Sequence, residues 1–253
     1  MRKIFFVLFT LILILPLFSA ATIELKDTLG QGETLIAKIL GNFPSSIDKE
    51  NILFYRNGYV KIPLNYNLAN IDGEYYLYAS LLGKDPGNYS INITNLQYYQ
   101  NGVLVHDGTI SKSFSISNET VQFSITPGFV VASEDFSITL QNLMDEKITI
   151  HITASTDDEE AREIYMQPET NEETKEQDID FKPGEKKDIQ FKLDEGNSGV
   201  WNIAFSSSNT SYNIPVYVIS NTVVYQNPSF SIEPQTIVYF LSTGSETKET
   251  VYL

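Results

Sequence analysis

Apolar residues along this chain fall on every second position. Past the N-terminus the runs read Leu35, Ala37, Ile39, then Ile52 and Phe54, Val60 and Ile62, and Tyr75, Leu77, Ala79, Leu81. Tyr89, Ile91, Ile93 follow, then Val103 and Val105, then Phe114 and Ile116. A period of two predicts strands with one buried face. Asn57-Gly58, Asp72-Gly73, Pro86-Gly87 and Asn101-Gly102 separate the runs with residues suited to tight turns. His106-Asp107-Gly108 reads as one more turn, after Val105. The grammar then repeats. Val121, Phe123, Ile125 lead to Phe136, Ile138, Leu140, then to Ile148, Ile150, Ile152, Ala154 and to Ile189, Phe191, Leu193. Trp201, Ile203, Phe205 and Tyr212, Ile214, Val216, Val218 close the series. No window holds a helical period, so the fold class is all-β.

Two motifs recur a little over a hundred residues apart. Gly87-Asn88-Tyr89-Ser90-Ile91-Asn92-Ile93 returns as Gly199-Val200-Trp201-Asn202-Ile203-Ala204-Phe205. Phe123-Ser124-Ile125-Thr126-Pro127 returns as Phe230-Ser231-Ile232-Glu233-Pro234. Such a period in strand-rich sequence predicts tandem β-sandwiches, one over 22–118 and one over 119–222. Residues 223–253 would open a third. Two or three strands bury no face of their own, so the chain is expected to continue past Leu253.

The second unit resembles the immunoglobulin-like repeats of bacterial and archaeal secreted and surface proteins. Phe136-Ser137-Ile138-Thr139-Leu140-Gln141-Asn142, then Pro183-Gly184-Glu185, then Gly199-x-Trp201-x-Ile203 carry the likeness. Gly32-Glu33-Thr34 and Pro86-Gly87-x-Tyr89 suggest a divergent relative in the first unit. The resemblance implies immunoglobulin-like sandwiches, with Tyr89 as a tyrosine corner and Trp201 in the equivalent place without a hydroxyl to bond. Both rings are expected in the core.

Residues 1–21 read as a signal peptide. Arg2 and Lys3 precede an apolar run over Ile4–Leu15, Pro16 ends it, and Ser19-Ala20-Ala21 predicts cleavage before Thr22. The run is shorter than the roughly 18–20 residues a membrane span needs. Membrane contact would come only through this segment or through an anchor beyond the given residues. The chain has no cysteine. An exported sandwich without disulfides points to a prokaryotic envelope, secreted or on its outer side. Formal net charge is -15, and residues 1–21 hold two basic and no acidic residues, so the remainder carries -17. That balance argues against nucleic acid as a partner, since phosphate binding needs Lys and Arg.

Candidate chemistry is sparse. Without cysteine there is no thiolate nucleophile or thiolate metal site. His151 lies between Ile150 and Ile152 and so points away from the core, and neither it nor His106 belongs to a catalytic motif. The acidic excursion 157–180 opens with Asp157, Asp158, Glu159 and Glu160, the weak candidates for a divalent cation. It lacks the ligand spacing of a calcium loop and reads as a solvated, mobile segment, with a short helix admissible near Glu159–Met166. Tyr75, Tyr76, Tyr78, Tyr98 and Tyr99 either line a sandwich or, if exposed, could stack on sugars. Asn88, Asn92, Asn118 and Asn209 head Asn-x-Ser/Thr sequons, a number chance also supplies; Asn88 and Asn92 alternate onto an outward face. No cofactor is implied. The reading is therefore a non-catalytic stalk, spacer or adhesion surface meeting a protein or glycan at the cell surface. The alternative is an accessory, carbohydrate-binding region of a larger extracellular enzyme whose catalytic domain follows residue 253.

Overall fold

The structure is a computed structural model that describes residues 21–71, 73–156, 164–166, 175–193, 198–219, 236–240 and 246–250. Alternation becomes pleated sheet throughout. The first nine strands are β1 (Thr22–Leu25), β2 (Thr28–Gln31), β3 (Thr34–Leu40), β4 (Ile52–Arg56), β5 (Val60–Ile62), β6 (Tyr66–Ile71), β7 (Glu74–Ser80), β8 (Gly87–Gln100) and β9 (Val103–Thr120). They form two sheets, ordered β1-β3-β7-β6 and β2-β9-β8-β4-β5. Every pairing is antiparallel except β2 with β9. Leu35, Leu77, Leu81, Ile91 and Ile93, all without exposure, fill the space between the sheets.

The next nine strands are β10 (Phe123–Thr126), β11 (Val130–Ala132), β12 (Phe136–Asn142), β13 (Ile148–Thr156), β14 (Ile164–Met166), β15 (Glu176–Phe181), β16 (Lys186–Leu193), β17 (Gly199–Ser207) and β18 (Thr210–Val218). Their sheets run β10-β12-β16-β14 and β11-β18-β17-β13-β15, with β11 parallel to β18. This core is separate and more aromatic, built on Phe123, Phe181, Phe191, Trp201 and Phe205. The plan matches that of the first nine strands except at the edges. There the earlier edge strand, β5, joins β4 and the later, β6, joins β7; here the earlier, β14, joins β16 and the later, β15, joins β13. Further along, β19 (Thr236–Phe240) and β20 (Glu246–Thr250) pair as an antiparallel hairpin, Thr236 opposite Thr250.

Two sequence expectations are corrected. Residues 106–108 are not a turn. β9 runs through them on a bulge, with Asp107 at φ 52° and the chain turning instead at Asn101-Gly102. Gly108 makes this workable: a Cβ there would stand 2.4 Å from the Tyr98 ring. Nor are residues 164–166 and 176–180 of the acidic excursion solvated loop or helix, while 157–163 and 167–174 lie outside the described residues. Ile164–Met166 is a strand on β16 with Ile164 and Met166 buried, and Glu176–Phe181 pairs with β13. The apolar Ile164 and Met166, two apart, decide for a half-buried edge over the helix that Glu and Ala favoured.

Candidate functional site

The Asn142 that ends β12 is fully buried. Its Nδ2 donates to Glu146 O at 2.8 Å and Lys182 O at 2.9 Å, its Oδ1 accepts from Met144 N–H, and its own N–H reaches Glu185 O at 2.9 Å. Glu185 in turn accepts from Lys182 N–H at 2.7 Å. The Asn142 and Pro183-Gly184-Glu185 motif is thus a staple between two turns, and its polar groups are spent on structure.

The other two marked residues are structural as well. Tyr89 is buried, and its hydroxyl donates to Asp85 O at 2.7 Å. Arg56 lies over the ring and bonds the Asp85 carboxylate at 2.9 Å. Burial pushes the Tyr89 phenol above its ordinary pKa. Trp201 is 1% exposed, and among the described residues its indole N–H has no hydrogen-bond partner.

The tyrosine strip is occupied. Tyr75 is buried, and Phe129 packs edge-on to Tyr78 with ring centroids 5.1 Å apart. Tyr76 donates to Glu74 while Lys38 sits over its ring, and Lys38's own hydrogen bond to the Glu74 carboxylate raises the Lys38 pKa. Of Tyr75, Tyr76, Tyr78, Tyr98 and Tyr99, the last is the most exposed, at 38%.

His151 heads an arrangement the sequence did not reveal. Its Nδ1 is 2.7 Å from Asp178 Oδ1, and its Nε2 is 3.1 Å from Thr153 Oγ1. Hydroxyl, imidazole and carboxylate stand in the order of nucleophile, base and orienter. Strand pairing accounts for it: β13 and β15 set His151 directly opposite Asp178, and Thr153 is next along the same face. His151 and Asp178 are both open to water, 49% and 69% exposed. Water solvates a developing charge there, and the reaction geometry requires a fixed donor pair as well. His106 is exposed beside the β9 bulge.

Among the sequons, Asn88, Asn118 and Asn209 are exposed, while Asn92 is half-buried and accepts from Ser111 Oγ at 2.7 Å. Asn88 also borders a surface groove of about 480 Å³ with Asp27, Ser90, Ser113 and Ser115. Tyr89 and Phe114 form its floor, but both are core residues and offer no open ring. Asp157, Asp158, Glu159 and Glu160 lie outside the described residues, as do residues 1–20. Among the described residues no group of three His, Cys, Asp or Glu could hold a metal, and no helix is long and apolar enough to cross a membrane.

The most elaborate constellation lies where the two cores meet. Only Val121 and Gln122 separate β9 from β10, and Val121 N–H bonds Gln31 O at 3.2 Å. Thr34, buried at the head of β3, donates its hydroxyl to Ile125 O at 2.6 Å and accepts from Ile125 N–H at 3.3 Å. Thr34 thus supplies the acceptor for the Ile125 N–H and shares the Ile125 carbonyl with the Thr126 hydroxyl, which donates to it at 2.8 Å. Buried Tyr212 on β18 accepts from Thr34 N–H and donates to Phe123 O, both at 3.2 Å, and burial pushes its phenol pKa far up. Gly128 lies so close to β7 that a Cβ would stand 2.5 Å from Tyr78 Cβ. Neither the Gly32-Glu33-Thr34 motif nor the alternation at Tyr212 reveals these bonds, since the partners of Thr34 are 91 and 178 residues away.

No family model and no curated protein matches the chain. Solved structures show loose likeness. Trypsin-activated alpha-2-macroglobulin from Escherichia coli is 10% identical over 78% of this chain, with a TM-score of 0.26. The chain spans 18% of that protein's length. The titin domains Z1Z2, solved in complex with telethonin, are 12% identical over 81% of this chain and 99% of theirs, with a TM-score of 0.23. A β-glycosidase from Bacteroides vulgatus is 10% identical over 79% of this chain and 25% of its own, with a TM-score of 0.29. Likeness at this level decides neither fold nor function; strand pairing and burial describe the fold.

Proposed function

We propose that residues 22–221 are two immunoglobulin-type sandwiches fixed into one body, serving as a non-catalytic spacer or stalk in a secreted or cell-surface protein. The sheet orders support the fold: β1-β3-β7-β6 and β2-β9-β8-β4 follow the ABED and GFC plan, with β2 added alongside the last strand. The observation that carries the function is the junction. Sandwiches joined to move independently need a polar, flexible linker with few contacts across it. Here the link is two residues long, and the polar groups of Thr34, Ile125 and Tyr212 are buried and paired. A satisfied buried network specifies one arrangement, because any other leaves those groups bare. A protein that spends its buried polar chemistry on holding two modules in fixed register is built to transmit position. The short apolar run ahead of Thr22 and the lack of cysteine favour export from a prokaryotic cell. The carbohydrate-binding alternative wants an open aromatic strip, and Phe129 and Lys38 cover the rings that would form it.

The test is orientation in solution. Residual dipolar couplings from the two sandwiches should fit one common alignment tensor, and two distinct tensors would overturn the spacer reading.

A further inference from the structure

We infer that Asn88 carries an N-linked glycan and that the groove beside it on the first sandwich seats the first sugars. Strand register builds the site. β8 and β9 set Asn88 opposite Ser115 and Ser90 opposite Ser113, so these four side chains share the outward face, with buried Tyr89 turned to the core between them. Thr28 extends the row, its hydroxyl 3.1 Å from that of Ser115. The groove along them holds about 480 Å³, inside the range of roughly 300–1,000 Å³ that small-molecule sites occupy. Its rim at Gly58 is open, where a Cβ would meet nothing within 4 Å.

Two features of the groove select a sugar. The one charged residue in its lining, Asp27, is paired with Lys112 at 2.6 Å, so a ligand meets neutral hydroxyl and amide groups. Ser90, only 8% exposed, has a hydroxyl with no hydrogen-bond partner among the described residues. Buried hydroxyls ordinarily find one, and a sugar hydroxyl both donates and accepts. The sequence specifies where that sugar comes from: Asn88-Tyr89-Ser90 is a sequon, and its asparagine stands exposed at the groove. The other sequons lack part of this. Asn92 Oδ1 is taken by Ser111 at 2.7 Å, and neither Asn118 nor Asn209 lines the groove. With β8 paired on both sides, Ser90 is closed to a transferring enzyme, so the glycan has to be attached to the translocating chain before β8 meets β4 and β9. Attachment therefore depends on the export proposed above.

Mass spectrometry of the full chain from its own host tests this. Trypsin releases 85–112 as one peptide holding both Asn88 and Asn92. Fragmentation should place a saccharide on Asn88 and leave Asn92 bare. Asn88→Gln should remove it and lower the melting temperature by roughly 2–4 °C, the shift that one hydrogen bond's worth of stability gives a chain of this size. Ser113→Tyr, at an exposed position, fills the groove and leaves the sequon intact. In that background the glycan should remain, while Asn88→Gln no longer lowers the melting temperature. A bare Asn88, or a saccharide on Asn92 in its place, overturns the proposal. So does a glycan whose loss leaves the melting temperature unchanged, or one that stabilises equally with the groove filled. A drop also seen when Asn88→Gln is made in unglycosylated chain overturns it too. Cell fractionation separates the causes of a bare Asn88: on a cytoplasmic chain the export reading fails as well, and on an exported chain the glycan alone fails.

Discussion

Replacing Thr34 by Val removes one hydroxyl and keeps the β-branched shape, which isolates the polar half of the junction. In the parent that hydroxyl gives Ile125 O a donor at 2.6 Å and Ile125 N–H its acceptor at 3.3 Å, at a site 3% exposed. After the substitution Ile125 O keeps the Thr126 hydroxyl as a donor at 2.8 Å, but the buried Ile125 N–H loses its acceptor and water has no ready access. A buried polar group left unpaired costs about 1–3 kcal/mol. Only the N–H is left unpaired, so the loss should be about 1–3 kcal/mol. For a chain of this size each kcal/mol moves the melting temperature by roughly 2–4 °C, which gives a drop of roughly 2–12 °C. The assay is thermal unfolding followed by circular dichroism, with Thr34→Ser alongside. Serine keeps the hydroxyl and should retain most of the stability. Tyr212→Phe should be coupled to Thr34→Val in a double-mutant cycle, because the Tyr212 oxygen bonds the Thr34 backbone N–H. If Thr34→Val melts within about a degree of the parent, well inside the penalty for an unpaired group, the junction is wet and the reasoning fails.

Three further substitutions probe the cores. Trp201→Ala should cost about 3–5 kcal/mol by guanidinium unfolding, whereas Trp201→Phe should cost much less, since it also removes an indole N–H that has no partner among the described residues. Tyr89→Phe keeps the ring and loses the bond to Asp85 O, so equilibrium unfolding should show a loss of about 1 kcal/mol. Asn142→Ala strips the donor from Glu146 O and Lys182 O and should destabilise by at least about 2 kcal/mol, with faster amide exchange in the turn at 182–185 as the local signature.

Alternation was enough to show the all-β class and most strands, because burying one face of a sheet demands a period of two and little else. Tyr89 and Trp201 were legible as core for the same reason. The failures are of one kind. Asp107-Gly108 carries turn residues, and turn residues also make bulges; the deciding fact is the Tyr98 ring lying over Gly108, a contact made across the hairpin. Ile164–Met166 sits among helix-favouring acids, and its pairing partner Phe191 to Leu193 is nearly thirty residues away. Local propensity sees neither.

The junction shows why a candidate site can escape the sequence altogether. Thr34, Ile125 and Tyr212 are ordinary strand residues, each in step with its own alternation. Their importance comes from one condition, that β9 passes into β10 with no slack. Once the link is that short, the head of β3 must meet the β10 backbone, and a buried strand needs a hydrogen-bonding partner there. A hydroxyl is the smallest side chain that both donates and accepts, so Thr34 serves both Ile125 groups where a Val or Ala would leave its N–H bare. The closeness of Gly128 to Tyr78 follows from the same constraint. Position along the chain, more than residue type, makes this the place where the protein commits its buried polar groups.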